Sequence, residues 1–199
     1  MQLASESKIE RTVSALKDNG IDALVTESGE EARKKVLELL PVGVEVMNMT
    51  SITLDTIGIS NEIQDSGKFN SVRKKLLSMD RRTQSSGMKK LGSAPDWTVG
   101  SVHAVTEDGN VLIASATGSQ LSAYAYGANH VIWVVGTQKI VKNLEEGMKR
   151  IYEYSLPLES ERARKAYGVP GSSVNKLLII NKEMSGRITL IFVKENLGF

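Results

Sequence analysis

Apolar positions along this chain fall alternately at helical and at strand spacing, and the alternation repeats. Ile9, Val13 and Leu16 share one helical face, Ser7 and Glu10 have the spacing of a capping box, and Gly20 can supply a left-handed stop. Residues 21–26 form a short apolar run, as a strand in a covered sheet should. Ser28 and Glu31 repeat the capping spacing ahead of Ala32, Val36, Leu37 and Leu40, and Pro41 ends that helix. Residues 44–47 supply a second strand. A strand, helix and strand of this length require a right-handed crossover, so the pattern predicts an α/β fold with a Rossmann-like, mostly parallel sheet flanked by helices.

The remainder continues the series. Residues 50–59 read as a hydroxyl-rich turn leading into a short helix. Residues 68–92 read as one basic helix carrying Arg73, Lys74, Lys75, Arg81, Arg82, Lys89 and Lys90, either a solvated face or a rim for a phosphorylated ligand. Residues 99–106 and 110–115 predict two strands around Glu107-Asp108-Gly109, a hairpin signal because Asp and Gly both tolerate positive φ. A helix over 120–127, a buried strand over 131–135, helices over 143–154 and 158–167, and a C-terminal β-hairpin from 176–180 and 187–193 complete the expected order.

Composition narrows the function classes. The 199 residues suit a single domain spanning 1–199. A net charge of +2 is too small for a general nucleic-acid binder. No apolar stretch approaches the roughly 20 residues of a membrane span, so no membrane insertion is expected. The absence of cysteine excludes disulfides, cysteine-ligated zinc or iron–sulfur clusters and a cysteine nucleophile, and fits a cytoplasmic protein.

Ligands of open α/β sheets bind beyond the carboxyl ends of the strands, which singles out three segments. Ser51 and Thr53 follow the second strand and could hold a phosphate or carboxylate, or simply cap a helix. Thr117, Gly118, Ser119 and Gln120 form a plausible anion cradle or another cap, without the glycines and lysine of a nucleotide loop. Gln138 and Lys139 lie just past the apolar strand, where a lysine could neutralise an anion or, if desolvated, act as a base or amine nucleophile. His103 and His130 lack ligand spacing, so no metal site is expected. An isolated strand histidine such as His103 is more often structural than catalytic, and Glu107 in a turn is ordinarily solvated.

The run Gly100-Ser101-Val102-His103-Ala104-Val105-Thr106-Glu107-Asp108-Gly109, then Thr117-Gly118-Ser119-Gln120, then residues 131–136 with Gln138-Lys139-Ile140-Val141, resembles the LUD domain family, lactate utilisation protein C-like and formerly a domain of unknown function. Ser51-Ile52-Thr53-Leu54 with Ile57-Gly58-Ile59 is similar to that family's hydroxyl- and glycine-bearing segment. The resemblance implies a fold shared with ribose-5-phosphate isomerases, glucosamine-6-phosphate deaminases and CoA transferases. It also implies a role in lactate or 2-hydroxy-acid utilisation, as an accessory subunit that binds a small anionic metabolite or nucleotide-like cofactor beside redox partner subunits. Ser101, Ser51, Thr53, residues 117–120 and Gln138 would bind the ligand, with His103, Glu107 and Lys139 as the reactive groups. The cofactor is left unassigned, and a homodimer is left open. Many relatives carry asparagine at His103, Asn-Arg near Ser119-Gln120 and Asn-Lys at Gln138-Lys139, so the ligand here can differ from theirs. A second expectation comes from Thr106-Glu107-Asp108-Gly109, which looks like the Glu-x-Gly turn of CoA transferases and would make Glu107 the nucleophile of a stand-alone transferase or phosphosugar isomerase. Both expectations require residues 51–53, 103–107 and 117–120 to meet.

Overall fold

The computed structural model describes residues 2–199. It opens with α1 (Glu6–Asp18), β1 (Asp22–Thr26), α2 (Gly29–Leu39) and β2 (Glu45–Asn48). Ser28 caps α2 by accepting the Glu31 amide at 3.2 Å. The capping box expected at Ser7 does not form, because α1 starts two residues earlier with Ser5 at the cap position and Ser7 already helical. Two short helices follow, α3 (Ile52–Thr56) and α4 (Ile59–Asp65), and then β3 (Asn70–Ser71).

The basic stretch is two helices rather than one, α5 (Val72–Ser78) and α6 (Ser85–Ser93). Asp80 breaks it: its carboxylate accepts the Arg82 amide and the Thr83 hydroxyl, each at 2.9 Å, which rewards a turn over a continued helix. Next come β4 (Trp97–Gly100), β5 (Ala104–Thr106) and β6 (Val111–Ser115), a π turn at Ala123–Gly127, β7 (His130–Gly136) and β8 (Ile140–Val141). The helices expected over 143–154 and 158–167 form one rod, α7 (Leu144–Arg150) and α8 (Leu156–Tyr167), joined by a π turn at Ile151–Ser155. Pro157 has no amide to donate, and the widened turn just before it absorbs that loss without breaking the rod. β9 (Lys176–Ile180) and β10 (Ile188–Val193) close the series.

Six strands form a parallel sheet in the order β1-β10-β7-β4-β2-β3, covered by two apolar clusters. Ile9, Leu16, Val131, Trp133 and Leu190 belong to one cluster, and Val36, Leu54, Val99, Ile132 and Ile191 to the other. Consecutive residues of one strand thus serve opposite faces, which is why the central strands read as unbroken apolar runs.

The last two strands do not form the expected hairpin. β10 lies parallel between β1 and β7, whereas β9 pairs antiparallel with β6 in a second sheet ordered β8-β5-β6-β9. Two adjacent apolar runs looked like partners, but each belongs to a different sheet. The strand expected over 99–106 divides in the same way, with β4 in the large sheet and β5 in the small one, so residues 101–103 form the bend between the sheets.

The hairpin linking β5 and β6 does form, with Ala104 opposite Leu112 and Val105 opposite Val111. Only Gly109 takes a positive φ, +83°, because Thr106 rather than a second left-handed residue closes the turn: its hydroxyl oxygen accepts the Asn110 amide at 2.8 Å. The tip rests on α1, and a Cβ on Gly109 would stand 2.8 Å from the Ala15 carbonyl carbon. Gly109→Ala is therefore expected to cost about 2–3 kcal/mol through strain and lost docking, read as a lower denaturation midpoint in urea. No helix among the described residues is long and apolar enough to cross a membrane.

Candidate functional site

The chain leaves β2 toward β3 and leaves β4 in the opposite direction toward β7, although β2 and β4 are neighbours. A crevice opens beyond the carboxyl ends of strands at such a reversal. There the structure has a cleft of about 720 Å³, lined by Thr50–Thr53 after β2, Ser101–His103 after β4, Ala114–Thr117 with Ser119 and Gln120 after β6, Lys139 after β7, and Gly198 and Phe199 after β10. Its outer wall comes from the π turn at Ile151–Ser155, α8 and residues 171–174.

The bend at 101–103 dictates much of the chemistry. Carbonyls that leave both ladders need other partners. Lys139 Nζ donates to the Val102 carbonyl at 3.2 Å, and Arg150 Nη1 donates to the His103 carbonyl at 2.5 Å and to Ser155 Oγ at 2.9 Å. Lys139 also donates to Ser101 Oγ at 3.1 Å and Thr53 Oγ1 at 3.3 Å, so one ammonium ties three strand ends together.

All three acceptors of Lys139 are neutral. The residue is only 2% exposed, and among the described residues no carboxylate lies within 4.0 Å of its nitrogen. Burial, then the nearby Arg150 charge, pushes its pKa down to about 7. Arg150 is itself lowered to about 10 by burial. His103 accepts the Ala114 amide on Nδ1 at 3.2 Å, which places its own hydrogen on Nε2. Burial, then Lys139 and Arg150, pushes His103 down to about 3, so it is neutral at physiological pH.

These shifts set the sign of a pH dependence. Between pH 6.5 and about 3 an unfolded chain protonates His103 and the folded one does not, so stability falls as pH drops through that window. His103→Asn is expected to blunt the acid loss by about 2 kcal/mol, measured by urea titration at pH 7 and pH 4. An unchanged difference between the two pH values would contradict the neutral imidazole.

The structure brings Ser51, Thr53, Ser101, His103, Thr117, Ser119, Gln120 and Lys139 to one cleft, and leaves out Glu107, Gly118 and Gln138. Glu107 points to α1, where its carboxylate meets Arg11 at 2.6 Å and Lys8 at 3.4 Å. Its charge is thereby satisfied away from the cleft. Gln138 Nε2 donates to the Leu197 carbonyl at 2.9 Å and pins the tail beside the strand ends. The 117–120 turn is less open than expected, since the Gly118 amide is taken by Ser115 Oγ at 2.9 Å and the Ser119 amide by Thr117 Oγ1 at 3.3 Å. Ser51 caps α3 by accepting the Leu54 amide at 3.5 Å, while its residue still borders the cleft.

Sequence reasoning missed Arg150 and the outer wall. Arg150 reads in sequence as one of two basic residues in a helix's last turn, and only the neighbouring bend reveals that it is buried. Arg162 and Glu159 also line the cleft, paired with each other through two 2.7 Å hydrogen bonds.

The LUD domain matches residues 9–193. The chain belongs to the LUD domain family. A crystal structure of a DUF162 family protein from Deinococcus radiodurans is similar in fold to this LUD protein, with a TM-score of 0.59, 12% identity, and coverage of 96% of this chain and 99% of that one. A ribose 5-phosphate isomerase from Plasmodium falciparum overlays less fully, with a TM-score of 0.35, 13% identity, and coverage of 65% and 66% of the two chains. No curated protein matches the sequence.

Proposed function

We propose that this LUD protein binds a small carboxylate of the 2-hydroxy-acid or 2-oxo-acid class in the cleft, with Lys139 as the charged anchor, and serves lactate or related 2-hydroxy-acid utilisation beside redox partner subunits. The observation that carries this reading is the buried Lys139 with three neutral acceptors and no carboxylate partner. Neutral oxygens do not require a charge to satisfy them, and an uncompensated buried cation is costly. An anion is the partner that offsets the cost. The Ser101 hydroxyl, which accepts from Lys139, retains its own hydrogen for a ligand oxygen.

Membership of the family supports a lactate-related role and so makes this acid class the first to try, and the missing cysteines leave this chain no thiolate ligand for an iron–sulfur cluster. Electron transfer through such a cluster would thus fall to a partner. The cleft is far larger than a three-carbon acid and lies in the range of sites for drug-sized molecules. Its volume favours a second reading, in which a nucleotide-like group occupies the outer wall while an acidic end reaches Lys139.

The test is calorimetry and thermal shift with lactate, pyruvate, longer 2-hydroxy and 2-oxo acids, CoA and nucleotides. A ligand at about 100 times its Kd should stabilise the protein by roughly 2.7 kcal/mol. Acetate should do less, and Lys139→Met should abolish the effect. Silence from every anion, or equal binding by the Met variant, would overturn the reading.

A further inference from the structure

Anchoring an anion needs a cation, but it does not need an amine and an unengaged imidazole N–H in one cleft. We propose that Lys139 condenses reversibly with the carbonyl of a bound 2-oxo acid to form an imine, while His103 Nε2–H polarises the carbonyl oxygen. This inference rests on the anion-binding reading above and adds a covalent step to it.

The geometry supports the step in three ways. Lys139 lines the cleft, and its nitrogen touches only hydroxyls and one carbonyl, so no carboxylate holds it as an ammonium. The Ala114 amide occupies His103 Nδ1 at 3.2 Å, which leaves Nε2–H as the imidazole's donor. Among the described residues Nε2 has no hydrogen-bond partner, and His103 also borders the cleft. A neutral imidazole in this role stabilises developing negative charge on oxygen without giving up its proton permanently.

Burial shifts Lys139 to about pKa 7, so near neutrality a substantial share is free amine, whereas a surface lysine near 10.5 is almost wholly protonated. The amine nitrogen attacks the keto carbon, and the carbonyl π electrons move to oxygen beside His103. A proton passes from nitrogen to that oxygen, giving a carbinolamine. A second protonation expels the oxygen as water and leaves a protonated imine. Overall, one ammonium and one ketone give one protonated imine and one water. Nothing is oxidised or reduced, and His103 ends as it began. The adduct keeps a positive charge where Ser101 and Thr53 already hold one, and the acid's carboxylate balances the field of Lys139 and Arg150.

Trapping decides the matter. The intact 199-residue chain is incubated with pyruvate and sodium cyanoborohydride at pH 7, digested, and mapped by mass spectrometry. The expected result is one reduced adduct on the peptide carrying Lys139, absent when lactate replaces pyruvate and absent in Lys139→Arg. His103→Asn is expected to slow trapping by about tenfold or more. Peptide mapping in the parent protein keeps the test valid if a variant fails to fold. Adducts spread evenly over surface lysines would overturn the imine. Pyruvate that binds by calorimetry without modifying Lys139 would overturn it too, and would leave the binding reading standing. Neither binding nor adduct would remove both.

Discussion

Lys139→Met is expected to produce a protein that is more stable than the parent at pH 7 and has lost its anion site. The parent bears the cost of a lysine whose pKa falls from 10.5 to about 7 on folding, equivalent to roughly 5 kcal/mol against the charged form. Met fills a similar volume without that cost, and the loss of three hydrogen bonds at about 1 kcal/mol each offsets part of the gain. A net gain of about 1–3 kcal/mol should follow. Because the unfolded chain holds the Lys139 proton up to pH 10.5 and the folded chain releases it near 7, the parent's stability should rise with pH across that interval. The variant should show a flatter profile. Stability gained as function is lost marks a residue retained for a ligand. A variant less stable than the parent, with unaltered pH dependence, would make Lys139 a structural clamp instead.

Gly100→Ala should be among the most damaging single substitutions in the molecule. A Cβ on Gly100 would stand 1.7 Å from Tyr124 Oη and 2.9 Å from Tyr124 Cζ. Tyr124 has no room to retreat: it is fully buried, on a π turn, with its ring edge-on to Trp133 at 5.4 Å. Overpacking of this severity costs about 3 kcal/mol, or roughly 6–12 °C in Tm for a chain of this length. Since Ser101 follows directly, anion binding should weaken as well. The double variant Gly100→Ala with Tyr124→Phe removes the oxygen in the clash and is expected to recover about half of the loss or more in a double-mutant cycle. Additive damage would show that the clash is not the cause.

Some of this site was legible in the sequence because position in an α/β unit carries chemistry. Ser51, Thr53 and Lys139 each follow a strand of the parallel sheet, and the rule for open sheets sends such residues to one rim. Glu107 illustrates the limit. The hairpin turn was readable, but its direction depends on α1, which supplies Lys8 and Arg11 from about a hundred residues away. Local pattern carries no information about such a partner. Likewise the apolar runs of β9 and β10 specify burial without specifying which sheet buries them, so adjacency in sequence suggested a hairpin that the topology denies. The split of residues 99–106 into β4 and β5 was hidden for the same reason. That bend frees the carbonyls of Val102 and His103, and through them recruits Lys139 and the unforeseen Arg150.

Lys139 can be observed directly by NMR of lysine labelled with 13C at Cε, titrated with and without lactate, which lacks a keto group and cannot form an imine. A midpoint near pH 7 is expected for this one lysine, moving upward when lactate binds and supplies the missing negative charge. A midpoint near 10.5 that does not respond to lactate would contradict the account.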